Sequence, residues 1–199
     1  MNKLRSIPPA FLRQFILTAT TEVGRNELAQ IINDPALLDA DAAATSTEQK
    51  AAETYSEIQR RLRVYYGRGA RGILLRIGQN LWKPLLQGGG LSARMLAGFV
   101  RILPAGLRQK PVLDLLARLM RGKEGKVSVH TMDTYLLFVD SSSPTTAGLQ
   151  ESQPVCFVTL GLIHGALFWA TGKDHEVEES GCCAIGDDAC EFKIAVSGN

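Results

Sequence analysis

Three of the four cysteines in this chain fall within nine residues near its carboxyl end. They are Cys182, Cys183 and Cys190, and a carboxylate, Glu179, lies three residues before the first of them. The fourth cysteine, Cys156, lies upstream in an apolar run. Thiolates and carboxylates are ligands that zinc takes at closed tetrahedral sites. In a chain without signs of export, clustered thiols indicate metal or redox chemistry more often than a disulfide framework.

Two predicted strands must position these side chains. Residues 192–196 alternate apolar and polar, which predicts a half-buried strand, and residues 177–183 predict a more polar one. The glycine and aspartates of residues 185–188 favour a turn between them. Cys182 and Cys190 therefore lie on either side of a hairpin connection, where they can approach each other.

Adjacent strand residues point to opposite faces, so Cys182 and Cys183 cannot both face one metal unless the strand is bulged. We expect Cys182 to be the ligand candidate and Cys183 to be structural. The spacing alone leaves a second interpretation open. Free cysteines are often simply buried in a core, and Glu179 would then be a solvated strand residue.

A longer pattern spans the region: Val177-x-Glu179, followed by Cys182-x-Ala184-x-Gly186-Asp187-x-x-Cys190-x-Phe192. It resembles the signature of the 4-vinyl reductase domain family. The resemblance is strong over about residues 126–197 and weaker over residues 67–78. That family includes the sensor domain of bacterial activators that respond to phenol and toluene, and it is distantly similar to a subunit type of vesicle-tethering complexes.

The resemblance implies a zinc site and a binding function. Sensor relatives hold zinc with one glutamate and three cysteines, and the matching positions here are Cys156, Glu179, Cys182 and Cys190. His175 and Asp187 are the reserve ligands. Relatives are thought to bind hydrophobic small molecules, from aromatic hydrocarbons to tetrapyrrole intermediates.

Length and composition indicate one domain, or one domain with a helical extension. The 199 residues are 45% hydrophobic and 21% charged, which is ordinary for a globular protein. No signal-peptide pattern is present, because prolines and polar residues interrupt the first apolar stretch. Residues 155–170 are uncharged but short for a bilayer, so they predict a buried core helix. We therefore expect a cytoplasmic protein with reduced cysteines.

Helical periodicity dominates residues 1–122, and strands follow it. We expect a helical extension and loop over 1–45, with a mobile segment at 34–47, and then one domain over 46–199. Its helical part covers 46–122, with a helix ending at Pro84 and a glycine hinge at 88–90.

The remaining module, 126–197, has strands near 127–130 and 134–139 and a core helix at 154–172 before the hairpin. This order predicts an α/β (α+β) fold with an antiparallel sheet. Gly161 and Gly165, one turn apart, predict a close approach, most simply of the core helix to the sheet.

The charge is uneven. Residues 1–130 hold 20 Lys and Arg against 10 Asp and Glu, whereas residues 131–199 hold 2 against 10. The halves could neutralise each other or a second subunit, which favours a homodimer, and the basic helices of residues 91–121 could instead contact a partner protein, an anionic ligand or a membrane surface. No nucleic-acid-binding motif accompanies the basic residues, so we expect no direct nucleic-acid binding.

These observations favour a zinc-stapled module that binds a hydrophobic or aromatic ligand as a sensor or carrier. The candidate wall residues are Tyr135, Phe138, Phe168 and Trp169, and either His130 or His164 would supply a polar contact. Ordinary core packing is the alternative role for each. No redox-cofactor motif is present, which argues against an enzyme. Two other functions remain open: an accessory or enzyme in (bacterio)chlorophyll vinyl-group reduction, and an assembly or membrane-surface protein.

Overall fold

A computed structural model describes residues 5–123 and 126–196 of the chain. Within them, seven helices precede a four-stranded antiparallel sheet that contains one further helix, so the expected α+β class is confirmed. The elements are α1 (Pro9–Val23), α2 (Arg25–Ile32), α3 (Ala40–Thr45), α4 (Glu48–Tyr66), α5 (Ala70–Gly88), α6 (Gly90–Ile102), α7 (Gln109–Met120), β1 (Val127–Thr131), β2 (Tyr135–Asp140), α8 (Phe157–Thr171), β3 (Val177–Gly181) and β4 (Cys190–Ala195). The predicted glycine break at 124–125 and the predicted module end at 197 lie outside the described residues.

The amino-terminal helices are built into the core. Phe11 and Phe15 of α1 pack edge-to-face on Tyr55 of α4, with ring centroids 5.4 and 4.7 Å apart. The start of α4 is fixed by Thr47, whose side chain accepts a hydrogen bond from the Lys50 backbone N–H. Residues of α1, α2 and α4 share one hydrophobic cluster with the helices and strands that follow.

The expected mobile segment at 34–47 is instead largely ordered as a short 3₁₀ turn followed by α3. Asp34 accepts a hydrogen bond from the Ala36 N–H, and Asp39 accepts two from the first turn of α3. Aspartate side chains stabilise helix starts in this way, which the loop-like composition of the segment conceals.

The expected end of a helix at Pro84 is wrong, because α5 continues through it to Gly88. Proline removes one backbone hydrogen bond from a helix interior. However, Leu81, Trp82 and Leu85 around it are buried, and α5 packs against both α1 and α8. Burial of these side chains offsets the missing bond. The expected glycine hinge is reduced to Gly90, whose positive φ of 77° directs α6 away from α5.

Helix α8 crosses α5 rather than the sheet at its glycines, which corrects the expected helix–sheet contact. A Cβ atom at Gly161 would lie 2.9 Å from the Gln79 backbone nitrogen and closer still to the Leu75 carbonyl oxygen. A Cβ atom at Gly165 would lie 2.5 Å from the Gln79 carbonyl oxygen. Gly78 of α5 faces the same crossing. Only residues without a side chain allow the two backbones to come this close.

The sheet has the strand order β1-β2-β4-β3, with every neighbouring pair antiparallel. Phe138 of β2 is directly opposite Phe192 of β4, and both rings are fully buried. The pairing of β3 with β4 shifts register between Glu179 and Gly181, which marks a bulge. This bulge lies immediately before Cys182.

Candidate functional site

Two ends of the carboxyl-terminal module meet at the cysteines. Cys156 immediately precedes α8, and its backbone N–H donates to the Glu179 carboxylate, with N–O distances of 3.1 and 3.3 Å. Glu179 lies in β3, so this contact joins the start of the helix to the hairpin. A charge-assisted hydrogen bond of this kind fixes the carboxylate orientation.

The hairpin turn places the other two cysteines. The Asp187 side chain accepts a hydrogen bond of 2.8 Å from the Cys182 N–H, and Gly186 adopts a φ of 102°. With the turn closed in this way, Cys182 leaves β3 and faces Cys190, the first residue of β4. The Sγ atom of Cys156 lies 3.9 Å from that of Cys182 and 3.4 Å from that of Cys190.

The geometry of the cluster fits a tetrahedral zinc ion. One ligand atom from each of Cys156, Glu179, Cys182 and Cys190 lies within 4.8 Å of all the others. Zinc–sulfur bonds of about 2.3 Å in a tetrahedron place two sulfurs about 3.8 Å apart, close to the separations found here. A disulfide would need about 2 Å, and all four cysteines of the chain are free thiols.

The protonation of the cluster also favours a cation. Hydrogen bonds from Cys156 and Cys190 lower the pKa of Cys182 to about 2. The same contact with Cys182 raises the pKa of Cys156 well above its usual range, and burial raises that of Glu179 to about 8. Near neutral pH the four groups therefore share a single thiolate charge. A divalent cation would stabilise the additional negative charges that these pKa values otherwise suppress.

The remaining candidates around the cluster are engaged elsewhere. Cys183 is half-buried outside the four-donor group, and its backbone N–H reaches the Cys190 sulfur at 3.5 Å. Asp187 serves the hairpin turn. The ring nitrogens of His175 contact the side chains of Gln109 and Thr171, at 2.9 and 2.8 Å. The two reserve ligands are thus outside the four-donor group.

A pocket of about 550 Å³ opens between α5, α6 and α8. Three of the predicted wall residues, His164, Phe168 and Trp169, line it. Sequence periodicity did not indicate the others, because they come from α5, α6 and the loop after α8: Gln79, Asn80, Trp82, Lys83, Arg101, Gly165 and Asp174.

The strand residues proposed as wall do not reach this pocket. Phe138 packs on Phe192 inside the sheet core, with ring centroids 6.1 Å apart. Tyr135 lies with its ring 5.8 Å from the Lys193 ammonium. His130 contacts Ser128 on the exposed β1. Alternation along the strands explains the difference, since it directs side chains into the sheet core or to solvent, away from α5 and α6.

Indole rings dominate the polar and aromatic character of the pocket. Trp82 and Trp169 pack edge-to-face with centroids 5.6 Å apart, and the Arg101 guanidinium lies 4.6 Å from the Trp169 ring centroid. Trp82 is buried, and its Nε1 donor has no hydrogen-bond partner among the described residues. Burial lowers the pKa of His164, so its ring is a neutral polar contact near pH 7. The pocket combines flat apolar surfaces with unused donors.

The segment that forms the cysteine cluster has a recognisable family. Residues 139–196 match the 4-vinyl reductase domain. The match spans all four clustered donors and α8, and it confirms the resemblance inferred from the sequence over this segment. An uncharacterized protein of Methanocaldococcus jannaschii is 33% identical over 90 residues, which are 45% of this chain and 49% of that protein. The chain thus spans about half the length of this curated relative.

Solved structures extend the likeness from the matched domain to the whole fold. The Fe(II) unliganded H-NOX protein from K. algicida matches with a TM-score of 0.55 and 12% identity, covering 96% of this chain and 97% of that one. The H-NOX protein from S. oneidensis in the Fe(II)NO ligation state matches with a TM-score of 0.53 and 13% identity, covering 93% and 99%. At these identities the likeness concerns the fold alone.

Proposed function

We propose that this chain is a small-molecule-binding module whose carboxyl-terminal hairpin is held by a structural zinc ion. Cys156, Glu179, Cys182 and Cys190 would be its four ligands. A zinc ion with four protein ligands has no open position for a substrate or a water, so its chemistry is to cross-link the start of α8 to the hairpin. Reduced thiols suit a reducing compartment, and we place the protein in the cytoplasm.

The proposed binding site is the pocket between α5, α6 and α8. The observation that carries this assignment is the buried Trp82, which lines an aromatic pocket while its N–H donor has no partner among the described residues. Leaving a buried donor unpaired costs stability, and a ligand oxygen that accepts this hydrogen bond would remove the cost. The ligand that fits is a small aromatic or hydrophobic molecule with one acceptor group.

The residues around the pocket have separate roles in this proposal. Phe168 and Trp169 would pack on the faces of an aromatic ring, and the neutral His164 would supply a second polar contact. Arg101 covers Trp169 from α6, so it would hold that ring in place when the ligand binds. As a sensor, the module would pass its signal on through a partner protein.

Intrinsic fluorescence tests this proposal directly, because both tryptophans of the chain line the pocket. We expect a saturable fluorescence change on titration with phenol, toluene or naphthalene, confirmed by calorimetry. Phe168→Ala should weaken binding by about fivefold, since it removes one aromatic contact worth about 1 kcal/mol. Tyr65→Ala, which changes an exposed aromatic outside the pocket, is the matched control and should bind normally.

Two results would contradict the proposal. One is the absence of a saturable signal with every aromatic compound. The other is equal weakening by Phe168→Ala and Tyr65→Ala. A protoporphyrin arm separates the tetrapyrrole alternative, because tight binding of the macrocycle without binding of single-ring compounds would favour it.

A further inference from the structure

Helix α6 carries its large apolar residues on the outside. It packs on the rest of the molecule through Ala93, Ala97 and Val100, which are buried. On the opposite side, Leu91, Met95, Phe99 and Ile102 are 75, 67, 58 and 82% exposed. At 100° per residue these four side chains form one stripe along the helix.

The stripe is a continuous apolar patch. Gly98 lies within it and faces open space, since a Cβ atom there would meet nothing within 4 Å. Leu107, in the 3₁₀ turn that follows α6, extends the exposed apolar surface. Single exposed apolar residues are common, but a contiguous set of this kind marks a surface that another molecule covers. A helix that is apolar on both sides normally has neighbours on both sides.

The charge around α6 indicates the covering surface. No Asp or Glu occurs between Glu57 and Asp114, whereas the same stretch holds eleven Lys and Arg. Arg94 and Arg101 flank one edge of the stripe, and neither forms an ion pair with any described residue. Arg94 donates to the Gln87 carbonyl oxygen, and Arg101 lies over Trp169. The patch is therefore apolar in the middle and cationic at its border.

We propose that α6 docks this protein peripherally on an anionic lipid surface. Leu91, Met95, Phe99 and Ile102 would enter the boundary between headgroups and acyl chains, while Arg94 and Arg101 contact lipid phosphates. Among the described residues, no helix is long and apolar enough to cross a membrane.

A second copy of the chain fits this surface less well. A two-fold dimer through α6 would bring the same patch together from both subunits. The cationic borders would then face each other, and the stretch from 58 to 113 contains no carboxylate to separate them. Like charges in contact oppose association, whereas an anionic lipid surface complements them.

Vesicle flotation with the full chain tests the proposal. We expect binding to vesicles of phosphatidylcholine with phosphatidylserine, little binding to phosphatidylcholine alone, and a steep fall in binding with added salt. The double variant Phe99→Ser and Ile102→Ser should lose at least about tenfold in binding, because two large inserted side chains are removed. Both residues are exposed, so the variant should fold normally, which its melting curve checks.

Val64→Ser is the matched control, because it removes an exposed apolar side chain from α4 without touching α6. It should bind as the wild type does. The proposal is overturned if the wild type binds neither vesicle, if salt has no effect, or if the double variant binds normally. It is also overturned if light scattering shows a dimer that the double variant abolishes while vesicles are not bound, since α6 would then be a protein interface. None of these outcomes depends on ligand binding in the pocket.

Discussion

The backbone N–H of Cys156 donates to the same carboxylate that belongs to the four-donor cluster. Glu179 is therefore held both by its strand and by the first residue before α8. The hydrogen bond of Asp187 to the Cys182 N–H sets the opposite side of the cluster. Such supporting contacts orient ligands before a metal binds, which improves affinity. At this scale the cluster is prepared for an ion by backbone geometry.

We predict that Cys190→Ala loses zinc and stability together. The chain should carry one zinc per molecule by plasma mass spectrometry. The variant should carry none and melt about 10 °C lower, because metal-binding free energy is also folding free energy. Cys183→Ala is the matched control, since its thiol lies outside the four-donor group, and it should keep both zinc and melting temperature. Wild-type protein that contains no metal and ignores a chelator would rule out the zinc site.

At the scale of elements, the crossing of α5 and α8 positions the pocket. Gly78, Gly161 and Gly165 allow the two backbones to touch, and the pocket opens beside that contact. The residues of α5 that line the pocket, Gln79, Asn80, Trp82 and Lys83, follow directly after Gly78. The distance between the helices therefore determines the width of the site.

We predict that Gly161→Ala destabilises the protein by about 2–3 kcal/mol, because the added methyl group must push α5 away from α8. Gly98→Ala is the matched control on α6. Its methyl group enters open space, and it should stabilise the helix by up to about 1 kcal/mol. Urea unfolding monitored by circular dichroism gives both values. Equal effects of the two substitutions would show that the helices are not in close contact.

At the scale of the whole molecule, a buried ion pair joins the amino-terminal segment to the sheet. Arg5 donates from Nε and Nη2 to the two oxygens of Asp140 at the end of β2, at 2.9 and 2.8 Å. Its Nη1 also donates to the Met120 carbonyl oxygen at the end of α7. Both charged side chains are almost fully buried. This contact ties three distant parts of the chain into one unit.

We predict that Asp140→Asn costs about 3–5 kcal/mol in unfolding free energy at pH 7, because it leaves the Arg5 charge buried without a counter-charge. Glu57→Gln is the control, since it breaks an exposed pair on α4 and should cost less than about 1 kcal/mol. Urea titration measures both. A cost for Asp140→Asn no larger than the control would contradict a structural role for the pair.

The control has its own pH dependence. A hydrogen bond from Arg60, with help from Arg61, lowers the pKa of Glu57 from 4.5 to about 2. A lowered pKa adds stability above the unfolded value, and this stability is lost as the pH falls through the folded value. The small difference between wild type and Glu57→Gln should therefore persist at pH 5 and disappear as the pH falls toward 2.

Local patterns in the sequence were sufficient for the carboxyl-terminal module. Strand alternation and turn residues predicted the hairpin, its place after a core helix and the expected separation of Cys183 from Cys182. These features depend on residues close together in the chain, where periodicity and turn chemistry act directly. The same patterns missed α3 and the passage of α5 through Pro84, since side-chain caps and neighbouring elements compensate there.

The sequence by itself determined the α+β class, the succession of strands and helix in the carboxyl-terminal module, and the set of thiols and carboxylate that form the cluster. Only the tertiary structure decided which side chains line the pocket, where Trp82, Arg101 and Phe168 come from three helices. It also decided that Arg5 meets Asp140 and that α6 presents Phe99 rather than Ala97 to the outside. The physical reason is that periodicity defines the faces of an element, while its neighbours decide which face is covered.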